Sequence, residues 1–197
     1  MLGERIGRTD VQALRTRIGY LSPALAREIP EGLTPRQIVD AAQAGALFPW
    51  YVEPSSMDRR RTEVALADVG MTGAPERPYA SFSSGEQLRV QLARALVTEP
   101  AALLLDEPMA SLDVGGREHL VETLARVARG PIGAVAVVLH RVEDIPPGFT
   151  HAVLVRDGGI QATGPIHEVV SDGPMTACFG TALRIERNGD RLAARVG

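Results

Sequence analysis

Lysine is missing from this sequence: all 21 basic residues are arginine. That excludes every chemistry that needs a lysine amine, including Schiff bases, lysine-linked cofactors and the phosphate-loop lysine of nucleotidases. Codon usage in a GC-rich genome accounts for arginine at surface positions, but not for the loss of a lysine that chemistry demands. Cysteine is scarce too. Cys178 stands alone, so no internal disulfide can form, which fits a reducing compartment. No apolar run approaches the ~20 residues needed to span a bilayer. No basic stretch followed by an apolar one opens the sequence as a secretion leader. Surplus positive charge is also lacking. The 24 acidic and 21 basic side chains give a net charge of −3, which argues against a strongly basic nucleic-acid binder. What is present is ordinary globular usage, 197 residues that are 45% hydrophobic and 23% charged. That suffices for one domain with a proper core, or one with a lobe inserted in it.

The first segment, residues 1–14, reads as polar and irregular. Residues 15–22 carry Ile18, Tyr20 and Leu21 and read as a short strand ended by Ser22-Pro23, because proline lacks the amide proton to continue a ladder. Thr34-Pro35-Arg36-Gln37 starts a helix, with Thr34 as cap, Pro35 in the first helical position and Gln37 closing a capping box. Residues 45–54 hold Phe48, Trp50 and Tyr51 in a loop, and 57–69 form a helix with Val64, Leu66 and Val69 on its apolar side. Residues 70–80, with Gly73, Pro75 and Pro78, are a connection. The second half changes character. Residues 85–97 form an amphipathic helix with Leu88, Leu92 and Leu96 at every fourth position. Unbroken apolar runs at 101–105, 134–139 and 152–155, separated by helices such as 116–128, predict buried strands of a parallel sheet. Asp157-Gly158-Gly159 predicts a hairpin turn, and 182–186 with 191–196 a final hairpin.

The strongest chemical feature is Leu103-Leu104-Leu105-Asp106-Glu107-Pro108. An apolar strand ending in two carboxylates places them at the carboxyl edge of a parallel sheet, where α/β proteins bind ligands. Two such carboxylates can divide the work, one holding Mg²⁺ and the other polarising a water. Alone, the motif is equally a polar strand end before a turn proline. Upstream lies Phe82-Ser83-Ser84-Gly85-Glu86-Gln87-Leu88-Arg89. Ser83 and Glu86 pair as a capping box, and the small Ser84 and Gly85 let a ligand approach a helix start that favours anions.

Together the two segments resemble the ATP-binding cassette (ABC) ATPases. Residues 82–86 are similar to the signature motif of that family, Leu103 to Glu107 to its Walker B strand, and Ser111-Leu112-Asp113 to its D-loop. Val137-Val138-Leu139-His140 resembles the strand ending in the switch histidine, and residues 158–164 the short hairpin that closes the core. The resemblance implies an α/β fold: a P-loop NTPase-like core with a mainly parallel sheet, an inserted helical lobe, and its first strands missing. It lays out residues 1–197 as a single partial ABC ATPase domain. Within it, 24–80 is the helical lobe, continuing into the signature helix 83–97; 98–164 is the catalytic core; and 165–197 is an extension with a hairpin. It implies ATP and Mg²⁺ as cofactors, with Asp106 holding the metal, Glu107 as general base and His140 at the γ-phosphate. Ser83, Ser84, Gly85, Glu86 and Asp113 are the implied nucleotide contacts. Ser83 and Gly85 would meet the γ-phosphate held by a second cassette in a head-to-tail dimer. The implied setting is cytoplasmic, with a membrane permease as partner at the inner face of the cell membrane, and no nucleic acid. A regulatory cassette that completes a partner's ATP site is the alternative. The DNA- and ribosome-acting cassettes fit less well, because their long coiled coils or paired cassettes are absent.

The departures are informative. The family's Q-loop glutamine falls at Pro23, which offers no side-chain ligand, and Gln12, Gln37 and Gln43 lie elsewhere. No Gly-x-x-x-x-Gly-Lys-Ser/Thr loop precedes Arg15; Gly3 to Thr9 has the wrong spacing and no lysine. The sequence therefore reads as a cassette beginning after its own ATP-cradling part, through a late gene start or as a degenerate copy. In the family the phosphate-loop strand lies between the strand ending at His140 and the strand 152–155. Two apolar edges are then expected to be left open, with poor solubility and neither tight ATP binding nor hydrolysis by these residues alone. Arg59-Arg60-Arg61 reads as a solvated face. His119, His151, His167 and Cys178 read as structural, and the aromatic cluster at 48–51 as either lobe packing or a permease contact.

Overall fold

Short apolar runs flanked by well-capped helices order the first part of the chain. The computed structural model describes residues 2–5, 7–47, 53–73 and 76–197; Phe48, Trp50, Tyr51 and Pro75 lie outside them. The described residues form two compact units, Met1–Gly116 with Pro131–Val138, and Arg117–Gly130 with Leu139–Gly197.

In the first unit a helix α1 (Val11–Thr16) stands where an irregular segment was expected. The side chain of Asp10 accepts hydrogen bonds from the Gln12 and Ala13 amides at 2.9 and 3.3 Å, and Gln12 Nε2 donates to the Ala44 carbonyl at 2.7 Å. A cap and one tertiary bond thus fix a helix too short to persist by propensity. Strand β1 (Ile18–Leu21) follows. Ser22-Pro23 does end it, and also starts α2 (Pro23–Glu28): the Ser22 hydroxyl, 1% exposed, accepts from the Leu25 amide at 3.1 Å. Helix α3 (Pro35–Gln43) carries the expected capping box and buries Ile38 and Val39. Helix α4 (Ser56–Asp68) departs from the expected pattern at Val64, which is 53% exposed. Its inward residues are Thr62, Ala65 and Leu66, three and four apart, which leaves position 64 on the opposite side.

Helix α5 (Ser84–Leu96) contacts α3, α4 and β1, so Val90 to Ala93 are buried in succession, while Leu88 and Leu96 are half-buried. Strand β2 (Ala102–Asp106) pairs in parallel with β1, Leu103 opposite Gly19, and with β3 (Ala134–Val138), Asp106 opposite Val138. β2 is thus the central strand, and its carboxyl end is held from both sides. Gly19 sets the distance between sheet and helix. A β-carbon there would lie 2.3 Å from the Ala95 carbonyl oxygen, 2.8 Å from Leu103 Cδ1 and 3.1 Å from Pro100 Cγ. Among the described residues β3 is the outer strand of this sheet, with Val138 50% exposed. Helix α6 (Val114–Ala128) begins in the first unit and runs into the second.

The second unit corrects one expectation. The run 152–155 is a strand, β4 (His151–Arg156), but it pairs antiparallel with β5 (Gly159–Pro165) in a two-stranded sheet, and Val153 and Val155 are 55% and 63% exposed. Apolar composition identified the strand but not its pairing partner. The turn between them has φ of 52° at Asp157 and 74° at Gly158, the two positive values a tight hairpin requires. Helices α7 (Ile166–Val169) and α8 (Asp172–Phe179) follow, in a stretch for which the sequence predicted no helix. The expected hairpin β6 (Leu183–Asn188) and β7 (Arg191–Val196) ends the chain. Val142, Val170, Met175 and Leu192 form one buried cluster of this unit, and the buried Asp144 pairs with Arg117 at 2.8 Å.

Candidate functional site

The amino end of α5 is built by a short chain of local bonds. A 3₁₀ turn (Tyr79–Ser81) leads into it, with Tyr79 buried. The Tyr79 hydroxyl accepts from Gln91 Nε2 at 2.6 Å, its carbonyl accepts from Gln87 Nε2 at 3.2 Å, and its amide donates to the Leu33 carbonyl at 2.7 Å. Burial pushes the Tyr79 phenol above its ordinary value. Ser83 caps α5: its hydroxyl accepts from the Glu86 amide at 3.3 Å. Glu86 answers with Oε2, which accepts from the Ser83 amide at 2.8 Å and from its hydroxyl at 2.9 Å. These bonds hold the Glu86 carboxyl below the usual carboxylate range, the backbone one foremost. Since the charged form is favoured in the fold, that stabilisation is present above the ordinary carboxylate value and is lost as pH falls through the lowered one. Glu86 Oε1 also pairs with Arg77 at 3.1 Å, and the Arg77 guanidinium lies 4.0 Å from the centre of the Phe82 ring. The capping box expected from Ser83 and Glu86 is therefore present. The open space where a Gly85 β-carbon would point leaves that helix start accessible.

The carboxyl end of β2 meets this helix start. Asp106 is the last residue of the strand, and Glu107 follows with φ of 47°. That left-handed conformation is uncommon for a residue with a β-carbon and concentrates at functional positions. The turn closes with the Ala110 amide donating to the Glu107 carbonyl at 3.2 Å, and it is anchored by buried Met109 and Leu112. Ser84 Oγ donates to the Ser111 carbonyl at 3.2 Å. A cleft of about 220 Å³ opens between these parts, lined among others by Pro23, Arg27, Ser84, Gln87, Glu107 and Ser111. Asp113 accepts the Gly116 amide at 2.7 Å and so caps α6. His140 is exposed just after β3 and belongs to the second unit. Arg27 and Gln87 were not singled out in the sequence. Arg27 sits one helical turn after Pro23, on a helix that the proline-ended strand concealed.

Among the described residues no group of three or more His, Cys, Asp and Glu side chains could cage a metal. Asp106 is a single hard carboxylate at a strand end. This suits Mg²⁺, which is commonly held by one or two carboxylates together with phosphate oxygens and water. The free amides at the start of α5, beside the open space at Gly85, suit a phosphate group. The residues present therefore fit a magnesium–nucleotide pair.

A parallel sheet whose central strand ends in paired carboxylates beside a capped, phosphate-ready helix start defines a nucleotide-handling α/β protein. The chain belongs to the ABC transporter family: the profile described as ABC transporter matches residues 1–110. It is 33% identical over 193 residues to the uncharacterized ABC transporter ATP-binding protein YlmA of Bacillus subtilis (strain 168), covering 97% of this chain and 73% of that one. It is 34% identical over 194 residues to the hemin import ATP-binding protein HmuV of Rhizobium etli, covering 93% and 72%. The structure of the ATP-binding cassette MJ0796, a dimer in a post-hydrolysis state bound to ADP and Pi, has a TM-score of 0.64 at 22% identity, with 79% of this chain and 65% of that one covered. The fold is that of the P-loop NTPase-type cassettes, and the protein is an ATP-binding member of the family. Among the described residues no helix is long and apolar enough to cross a membrane.

Proposed function

We propose that this chain is the ATP-binding subunit of an ABC transporter-type system, coupling ATP hydrolysis to transport in the cytoplasm at the inner face of the cell membrane. One observation carries the reading: Ser84 at the start of α5 and Glu107 at the end of β2 line one cleft, tied together by the Ser84–Ser111 bond. Bound MgATP supplies the phosphoryl group and the metal charge. Asp106 holds the metal, Glu107 takes the proton of the attacking water, and His140 contacts the γ-phosphate. Ser83 and Gly85, with Ser84 and Glu86 shaping the same edge and Asp113 fixing the turn beside it, face the nucleotide of a second cassette in a head-to-tail pair. The dimeric cassette bound to ADP and Pi supports such a pair. The import proteins among the relatives support a membrane permease as the further partner. Catalysis is then positioning and charge stabilisation.

No lysine stands among these 197 residues, so the amine that meets the β- and γ-phosphates in this family lies outside them. The intact Ser83–Glu86 cap also suits a second reading, in which the chain is a regulatory cassette that completes a partner's ATP site without turning over its own. Ser83→Arg tests the role common to both. Placing bulk at the helix start is expected to abolish ATP-driven pairing of cassettes, measured by light scattering, while nucleotide binding to separate protomers stays within about twofold. Equal loss in the separate protomers would show that Ser83 serves the fold instead. Glu107→Gln separates the two readings, since it lowers turnover only under the first.

A further inference from the structure

We propose that Arg27 binds the terminal phosphate of the nucleotide served by Glu107, an inference that rests on the functional reading above. Among the described residues lining the cleft, Arg27 is the one cation and Glu107 the one acid. Arg27 is exposed and has no hydrogen-bond or ion-pair partner among the described residues. Two other arginines of the same unit are committed elsewhere. Arg77 pairs with Glu86 at 3.1 Å, and Arg36 pairs with Glu63 and Glu76, each at 3.1 Å.

The placement of Arg27 is fixed by its helix. The buried Ser22 cap at one end of α2 and buried Ile29 just past the other hold the helix in place. Arg27 follows Pro23 by four positions, so both lie on one helix face, and both line the cleft. Pro23 stands where the family carries a glutamine, and it brings no donor to the cleft. Arg27, one turn along, returns a donor to the same wall. A guanidinium offers a planar fork of N–H groups that matches two phosphate oxygens at once, and it keeps its charge at any physiological pH. Glu107 beside the reacting phosphoryl group repels its oxygens, and a cation on the facing wall offsets that repulsion as charge accumulates in the transition state. An arginine meant for solubility would not need to share a cleft with the general base. An arginine meant for packing would be paired or buried, and Arg27 is neither.

The test uses the native assembly with its partner subunits, in a Glu107→Gln background that keeps ATP intact, with MgATP and MgADP titrated by calorimetry. Arg27→Ala is expected to weaken MgATP by about tenfold and to leave MgADP within about twofold. Arg27→Lys, which keeps the charge but not the fork, should recover part of the MgATP loss. MgATP affinity within threefold of the parent, or equal weakening of MgATP and MgADP, overturns the inference while leaving the functional reading intact. An assembly with Arg27 in place that binds neither nucleotide overturns the functional reading itself.

Discussion

Replacing Glu107 by Gln in the assembled transporter is expected to lower ATP turnover by about 100-fold or more, with MgATP still bound. The substitution keeps the shape and the hydrogen-bonding reach of the side chain, but an amide cannot accept the proton that the attacking water must lose. The backbone conformation makes this comparison clean. Glu107 adopts φ of 47° in a turn closed by the Ala110 amide, and Gln meets the same steric cost there as Glu, so the backbone turn is not penalised. Thermal unfolding should stay close to that of the parent, and the effect should fall on kcat. Turnover near the parent rate would remove Glu107 from the role of base and favour the reading in which this chain completes a partner's site.

The second large effect is structural. Gly19→Val is expected to destabilise the first unit by about 3 kcal/mol or more, and Gly19→Ala by about 1–3 kcal/mol. The β-carbon would meet the Ala95 carbonyl oxygen at 2.3 Å, and a main-chain oxygen in mid-helix cannot rotate away as a side chain does. Relief requires α5 to lift off β1. Since α5 begins at Ser84, beside its Ser83 cap, lifting it also moves that helix start relative to Glu107. Urea unfolding measures the first consequence. A Gly19→Ala protein within about 0.5 kcal/mol of the parent would show that the helix–sheet spacing is looser than the structure has it.

How far the sequence could be read depended on whether the cause was local. The Ser83–Glu86 box, the Thr34–Gln37 box and the Asp157-Gly158 turn were legible because each is decided within four residues by hydrogen bonds or by positive φ. The place of the carboxylate pair was legible because the apolar run of β2 stops at Asp106. Pairing was not legible. The runs 134–139 and 152–155 look alike, yet β3 joins a parallel sheet while β4 folds back on β5. Composition records that a strand is apolar, whereas its partner is set by the turn that follows. Helix α1 escaped notice because one long-range bond, Gln12 to Ala44, fixes it. Val64 shows that an apolar residue need not point inward, since the phase of α4 turns it outward. At the site, Ser84 and Glu107 come together through tertiary contact, and Arg27 became visible as a lining residue once α2 was seen.

Cys178 is 5% exposed on α8, with its thiol 3.8 Å from the Val155 carbonyl, and the adjacent Ala177 carbonyl accepts from the Arg156 guanidinium at 2.9 Å. Being the sole thiol of the chain, it can report when α8 parts from β4. A maleimide dye added to the native protein reacts at a rate set by how often that helix lifts, since a shielded thiol is protected until the surface around it opens. Arg156→Ala, which removes the tie to Ala177, should speed the labelling severalfold without altering any nucleotide contact. One chemical clock, requiring no engineered label, would thus time the breathing of the second unit while the cassette binds and releases its ligands.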